Sequence, residues 1–302
     1  MLAALMVVAA APGLLDTTPE AHGAKGDGVH DDSTPIRAAL AACAAAAPSR
    51  CRITFANSYL SGPLVVNSSG LELRVSGSLS MLPRPQYPAS SRAPFLSNAA
   101  GVSDLLISGS GLIDGQGKAW WPCKHTGCFR PHMMAFGSVH GITIEGLHLQ
   151  DPPNHFIEVN DCVGVRVRNI HSEAPNNSPN TDGINFYGGS DQLFEDSIVH
   201  NGDDCVSVVP SGDPASVLCV TQPERCRGGS VIIRNISCLG GHGVSIGSVR
   251  HGTISNTTFE NITLTKGPTQ ALYSSGGCRI KSYPNGTGTH TLSISLLFCY
   301  CF

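Results

Sequence analysis

Charge is scarce in this 302-residue chain: Asp, Glu, Lys and Arg make up 14% of it, against roughly 25% in an ordinary globular protein. What charge there is has no strong bias. Nineteen basic and 22 acidic side chains give a net charge of −3, so there is no basic stripe, which argues against nucleic acid as the main partner. No apolar run reaches the ~18 residues that a membrane-spanning helix needs. None of the twelve cysteines falls in a paired C-x-x-C spacing, which argues against a zinc cluster. Sparse charge can accompany disorder, but 41% hydrophobic residues are enough to bury a large core.

Turn formers are abundant. Thirty-four glycines and 20 prolines are about 18% of the chain, a punctuation that suits many short strands and not a helical bundle. One convincing helix is present. Asp32, Ser33 or Thr34 can cap it, Pro35 sits in its first turn, and IRAALAACAAAA runs on to Pro48. After it the hydrophobic period changes to two and repeats. The segments are LLISGSGLIDG from Leu105, ITIEGLHLQDP from Ile142, VRVRNIHSEAP from Val165, QLFEDSIVHNG from Gln192, VIIRNISCLGG from Val231 and TISNTTFENIT from Thr253. Their starts lie 37, 23, 27, 39 and 22 residues apart, the longer gaps carrying insertions. A unit made only of short strands cannot bury its core alone but can when stacked on copies of itself. The expected fold is all-β: a right-handed parallel β-helix of single strands, capped at its N-terminal end by the Ala-rich helix. A leucine-rich horseshoe would want a Leu-x-Leu-x-x-Asn pattern, which is absent.

Residues 2–11, LAALMVVAAA, read as the core of a signal peptide over 1–11, with cleavage near Ala10. Sequons at Asn67, Asn176, Asn235, Asn256, Asn261 and Asn285 suit a glycosylated, secreted protein. In that setting an even cysteine count favours disulfides. Cys123 with Cys128 and Cys205 with Cys219 are candidate local pairs.

Neighbouring coils of a β-helix lie about 4.8 Å apart, so residues one repeat apart become neighbours on a face. Asp182 stands in Asn180-Thr181-Asp182-Gly183. Asp203 and Asp204 stand in Gly202-Asp203-Asp204-Cys205, 21 and 22 residues on. His242, in Gly241-His242-Gly243, is 38 residues beyond Asp204, and Arg279-Ile280-Lys281 is roughly one repeat further with a loop. The expectation is one ladder of three carboxylates, an imidazole and two cations. Clustered carboxylates raise one another's pKa, so one stays protonated at mildly acidic pH beside an ionised neighbour. An acid beside a base is the equipment for cleaving a glycosidic bond, with ~6.5–9.5 Å between them for inversion. Adjacent residues of a regular strand point to opposite faces, so Asp203 and Asp204 can share a cleft only if the backbone bends, and Gly202 permits a bulge. Arg279 and Lys281, with Ile280 between them entering the core, would grip a substrate carboxylate such as that of galacturonate.

Four segments in this order, NTDG from Asn180, GDD from Gly202, GHG from Gly241 and RIK from Arg279, closely resemble the signature of the polygalacturonases of glycoside hydrolase family 28. GAKGDGVHDD, GSGLIDGQGKAWW and SPNTDGINF extend the likeness over roughly residues 20 to 285. The resemblance implies hydrolysis of α-1,4 bonds between galacturonates with inversion and without a cofactor. It implies Asp203 as general acid, Asp182 and Asp204 as the pair that activates water, and His242 as the residue that tunes the acid or shapes the site. Arg279 and Lys281 would bind the substrate carboxylate, with Asn180 beside the cleft. Polygalacturonate or pectin would be the partner, with no nucleic acid or membrane, for a monomer acting extracellularly in the cell wall. Rhamnogalacturonan and xylogalacturonan are the nearest alternative substrates.

Each residue also has a plainer reading. An Asp in a Gly-flanked turn usually caps backbone amides, and an Arg-Ile-Lys triplet is usually a solvated strand face. Three carboxylates could hold calcium, as in pectate lyases, although NTDG, GHG and RIK do not resemble the lyase motifs. Trp120 and Trp121 are expected to pack the Cys123–Cys128 loop and not to line a sugar site. Beyond RIK the resemblance ends. Residues 12–285 are expected to form the β-helix and 286–302 an aberrant or truncated tail, with neither Tyr283 nor Tyr300 in the context of the family's substrate-stacking tyrosine. A chain so cut could instead be an inactive or merely pectin-binding fragment.

Overall fold

The computed structural model describes residues 13–47, 50–88, 92–211, 222, 226–265, 277–282 and 294–301. The candidate signal peptide, Cys219, Tyr283 and Asn285 lie outside them. Every strand pairing is parallel, and the strands stack into three faces around one core, a parallel β-helix. The first face runs from Leu15–Thr17 through Cys51–Phe55, Leu71–Val75, Ser103–Ser108 and His140–Glu145 to Val163–Arg168. The second runs from Asp27–Asp31 through Ser58–Ser61, Ser78–Met81, Leu112–Asp114 and His148–Gln150 to His171–Glu173. Later coils join these two faces in single long strands. Ser190–Asn201 pairs with Val163–Arg168 through its first half and with His171–Glu173 through its second. Arg227–Gly240 and Thr253–Thr265 continue the stack. The third face holds eight strands, from Leu64–Val66 to Gly277–Ser282.

The repeat read from the sequence sets the register. Leu105 pairs with Ile142, Ile142 with Val165, Val165 with Gln192, and Gln192 with Val231. The last unit is offset. Val231 faces Thr257, not Thr253, because Thr253–Thr265 begins four residues earlier, opposite Arg227. Period two then puts like residues in interior rows. Ile107, Ile144, Val167, Phe194, Ile233 and Phe259 form one row, and Phe136, Val159, Phe186, Val208, Ile246 and Ile280 another. Each such side chain, where fully buried, contributes about 1.5–3 kcal/mol. Ile280 is the exception. Its row faces the core, as expected, but it stays 62% exposed on the last described strand of its face.

The corner between the first and second faces is made by Asn169, Asp196, Asn235 and Asn261, all at φ between 50° and 55°. Asn and Asp tolerate this left-handed conformation. The amide of Asn235 donates to Asp196 (2.8 Å) and that of Asn261 to Asn235 (2.9 Å).

The helix α1 (Ser33–Ala45) buries Ile36, Ala39, Leu40 and Cys43, an i, i+3, i+4, i+7 stripe, against the first coils. Its cap differs from expectation. Asp32 occupies the N-cap position but makes no cap hydrogen bond; its carboxylate accepts from the amides of Lys25 and Gly26 (2.7 and 3.1 Å). A Cys43–Cys51 disulfide staples the helix to the following strand. Cys123–Cys128 forms as expected. Cys205 pairs with Cys238 and not with Cys219. Cys205 and Cys238 are both buried in the core, on strands of successive coils. Trp120 is buried against Tyr87, and Trp121 donates to the Pro152 carbonyl (3.0 Å), so both pack the disulfide loop. Within the segment expected as an aberrant tail, Ile294–Cys301 pairs in parallel with Thr253–Thr265.

Candidate active site

The candidate acids stand where the chain enters the third face. Successive coils are joined there by backbone hydrogen bonds from Met133 to His155, Phe156 to Asp182, and Gly183 to Asp204 (3.0, 2.9 and 2.9 Å). Asp182 and Asp204 are therefore one coil apart, as their spacing predicts. The bulge that lets Asp203 and Asp204 share the cleft falls just after Gly202. Asp204 faces Gly243 and Val206 faces Val244, leaving Cys205 as the extra residue. Gly202 is required for a different reason: a Cβ there would lie 2.2 Å from the Ser178 carbonyl oxygen. Gly241, at φ +57°, would bring a Cβ equally close to the Asp203 carbonyl. These close approaches hold the GDD and GHG turns together, and the His242 amide donates to that Asp203 carbonyl (2.7 Å).

A cleft of about 270 Å³ runs from Asn180 past the three acids to Lys281. His242 Nδ1 lies 2.9 Å from Asp203 Oδ1 and 3.7 Å from Asp204 Oδ1. The Asn180 amide donates to Asp203 Oδ2 at 3.3 Å. Arg279 and Lys281 each bind one oxygen of the buried Asp204 carboxylate. They do so from another row than the one expected. Arg279 is in register with Ser245, Ser207 and Asn185, two residues further along the face, and reaches back across two coils to Asp204. The small side chains of Ser207 and Ser245 leave that path open.

Burial sets the electrostatics. It pushes the Asp182 carboxyl up to about 6, opposed by His155 and reinforced by Asp203 and Asp204. Asp203 is half-buried, but its hydrogen bond and charge contact with His242 and the bond from the Asp204 amide outweigh burial and hold it low. One carboxyl is thus raised among ionised neighbours, and in the free site it is Asp182.

Two further residues belong to this site. His155 sits one coil before Asp182, with Nε2 3.6 Å from Asp182 Oδ1 and Nδ1 3.2 Å from Glu158. Burial disfavours its charged form, but Asp182 and Glu158 prevail and raise it. Burial likewise opposes ionisation of Glu158, yet His155, His132 and Asn160 hold it down at about 2. The signal for both was internal. Ile157 pairs with Ile184, which sets His155 opposite Asp182 and Glu158 opposite Asn185. PNHFIEV is the preceding copy of the NTDGINF segment. Asp203, Asp204 and His242 also offer ligand atoms within 4.8 Å of one another. Calcium, however, takes six to eight oxygens, and Asp204 is already engaged by two cations.

The family model for glycosyl hydrolases family 28 matches residues 43–293. The chain is 29% identical to a polygalacturonase of Juniperus ashei over 285 residues, covering 89% of this chain and 51% of that protein. It is 30% identical to a probable polygalacturonase of Arabidopsis thaliana, covering 88% and 54%. The chain therefore spans about half the length of the curated relatives it matches. Among solved structures, a hyperthermoactive exopolygalacturonase from Thermotoga maritima superposes with a TM-score of 0.75 at 20% identity, covering 91% of this chain and 70% of that one. The polygalacturonase of Erwinia carotovora gives 0.72 at 21%, covering 94% and 76%. With the family model spanning most of its length, the chain belongs to glycosyl hydrolases family 28.

Proposed function

We propose that this chain hydrolyses α-1,4 bonds between galacturonates in polygalacturonate or pectin, with inversion. The observation that carries the reading is the convergence of Asp182, Asp203 and Asp204 from two adjacent coils on one cleft with His242, Arg279 and Lys281. Asp203 protonates the leaving oxygen, and Asp182 with Asp204 orients and deprotonates the attacking water. In the free site the proton rests on Asp182 and Asp203 is held ionised. The acid role of Asp203 therefore requires substrate to redistribute that proton. An arriving uronate does this in two ways. Its carboxylate adds negative charge beside Asp203, and it excludes water from a half-buried site; both raise a carboxyl pKa. Arg279 and Lys281 turn from Asp204 toward the incoming carboxylate, exchanging one anion for another.

A lyase reading would need a cation beside the acids, and the cations already paired with Asp204 are supplied by the chain. No helix among the described residues is long and apolar enough to cross a membrane. We place the chain outside the cell, in the cell wall, as a monomer; the apolar run at residues 2–11 and the Asn-x-Ser/Thr sequons suit secretion. Reducing-end release from polygalacturonate at pH 5 tests the proposal. Release that is lost in Asp203→Asn supports it, whereas binding of the polymer without release identifies a pectin-binding protein instead. Unsaturated products that depend on calcium would overturn it.

A further inference from the structure

Lys124 and Arg130 meet at the end of the cleft away from Arg279 and Lys281. Lys124 lies inside the loop closed by the Cys123–Cys128 disulfide and Arg130 two residues beyond it. Lys124 Nζ and Arg130 Nη2 both donate to the side-chain oxygen of Asn180, at 2.8 and 2.7 Å. Arg130 is anchored further by the carbonyls of Pro153 (3.1 Å) and Pro179 (2.6 Å). Two full charges thus converge on one neutral amide, which carries only a partial charge. Neither has an ion-pair partner among the described residues, whereas Arg279 and Lys281 are both paired with Asp204. The Arg130 guanidinium is half-buried, and burial lowers its pKa while Asp203 and Asp182 oppose that shift. The acids are therefore close enough to be felt but are committed to other partners. A clamped loop holding uncompensated cations at a cleft mouth is a preorganised anion site, and the fork of Arg130 suits a carboxylate.

We propose that Lys124, Arg130 and Asn180 form a second carboxylate subsite, on the opposite side of the acids from Arg279 and Lys281, that holds another uronate of the same substrate chain. This rests on the functional reading above and adds to it that an acidic oligomer is gripped at both ends of the cleft. The two cation pairs are carried by coils five rises apart, ~24 Å, and they reach in from opposite sides to different anchors, Asn180 for one pair and Asp204 for the other. Asn180 couples the subsite to the chemistry, since its oxygen takes the cations while its amide nitrogen donates to Asp203.

The test is calorimetric binding to the full chain carrying Asp203→Asn, which is not expected to turn over the probe. The probes are a galacturonate pentamer, its methyl ester, and the monomer. Adding Lys124→Glu should weaken pentamer binding about tenfold at low salt, the ester less than twofold and the monomer not at all, and the loss should shrink as salt rises. Arg130→Gln should act in the same direction. Lys124 is exposed, so its variant should melt with the parent and keep the proposal falsifiable if Arg130→Gln misfolds. Equal losses on acid and ester, or no loss on the acid, overturn the subsite while the functional reading stands. If the Asp203→Asn chain binds no acidic pentamer and the parent chain releases no reducing ends, the functional reading itself fails and the subsite with it.

Discussion

Two columns of Asn and Asp run up this β-helix, and they behave in opposite ways. At the corner between the first and second faces, Asn235 and Asn261 each donate an amide proton to the side chain one coil back, on Asp196 and Asn235. At the entrance to the third face, Asp203 accepts from the Asp204 amide and the Asn180 side chain, but neutral donors leave the charge of the three acids uncompensated. That charge is met by His155, one coil before Asp182 in the same row, by His242, and by Arg279 and Lys281 reaching back across two coils. The corner column is exposed and self-satisfied, and so it serves the fold. The other is buried, mutually repelling and compensated from outside, which is how perturbed carboxyl groups are held ready for chemistry. Residue type is shared; what separates scaffold from site is whether neutral amides suffice or charged partners are needed.

The contrast breaks most visibly at the acid. Asp203→Asn should lower turnover by ~10²–10⁴-fold, the usual contribution of a general acid, while leaving circular dichroism and the melting curve near those of the parent. Wild-type rates in that variant would remove Asp203 from the mechanism. The outside compensation comes next. Lys281→Ala and Arg279→Ala should raise KM for polygalacturonate by roughly tenfold or more, since truncating one partner of a half-buried charge pair costs ~2–5 kcal/mol. The increase should be much smaller for the fully methyl-esterified polymer. Equal responses to acid and ester would mean that these cations do not read the carboxylate.

Asp182→Asn should reveal the energetic side of the same column. The native carboxyl is raised to about 6 from an ordinary 3.8. The Asp182 contribution to stability is therefore full below about pH 4 and is lost as pH rises through 6. The Asn variant lacks that loss, so it should be more stable than the parent at pH 7 by ~1–3 kcal/mol, with the gain vanishing toward pH 4. A difference independent of pH, followed by urea unfolding, would show that the carboxyl is not raised. The corner should respond least. Asn235→Ala loses a hydrogen bond and places Ala at a left-handed φ, costing ~1–2 kcal/mol without affecting turnover. A pH-dependent or catalytic effect there would erase the distinction between the columns.

The scaffold was legible because period two and the recurring Asn or Asp corner are local signals repeated coil after coil. Five of the six repeat starts stand opposite one another, and the sixth slipped by four residues because Thr253 pairs with Arg227, four residues upstream of the apolar run that begins at Val231. The acids were legible from their one-coil spacing, and the bulge from Gly202 and two consecutive Asp residues. The cations were placed in the wrong row, because the reach of Arg279 across Ser245 and Ser207 is a property of side-chain size and not of spacing. His155 and Glu158 were hidden by their apolar context in PNHFIEV, which reads as an ordinary strand until paired with NTDGINF. Cys205–Cys238 joins inward-facing residues of successive strands, and no local loop announces it.

The most direct test of the central claim follows the anomeric configuration of the first product by NMR during hydrolysis of an oligogalacturonate. Paired carboxylates that activate water on the face opposite the leaving group require inversion. The β-anomer should appear first and relax to the equilibrium mixture, and no product should form with Asp203→Asn. A first-formed α-anomer, or an unsaturated end group, would contradict the account.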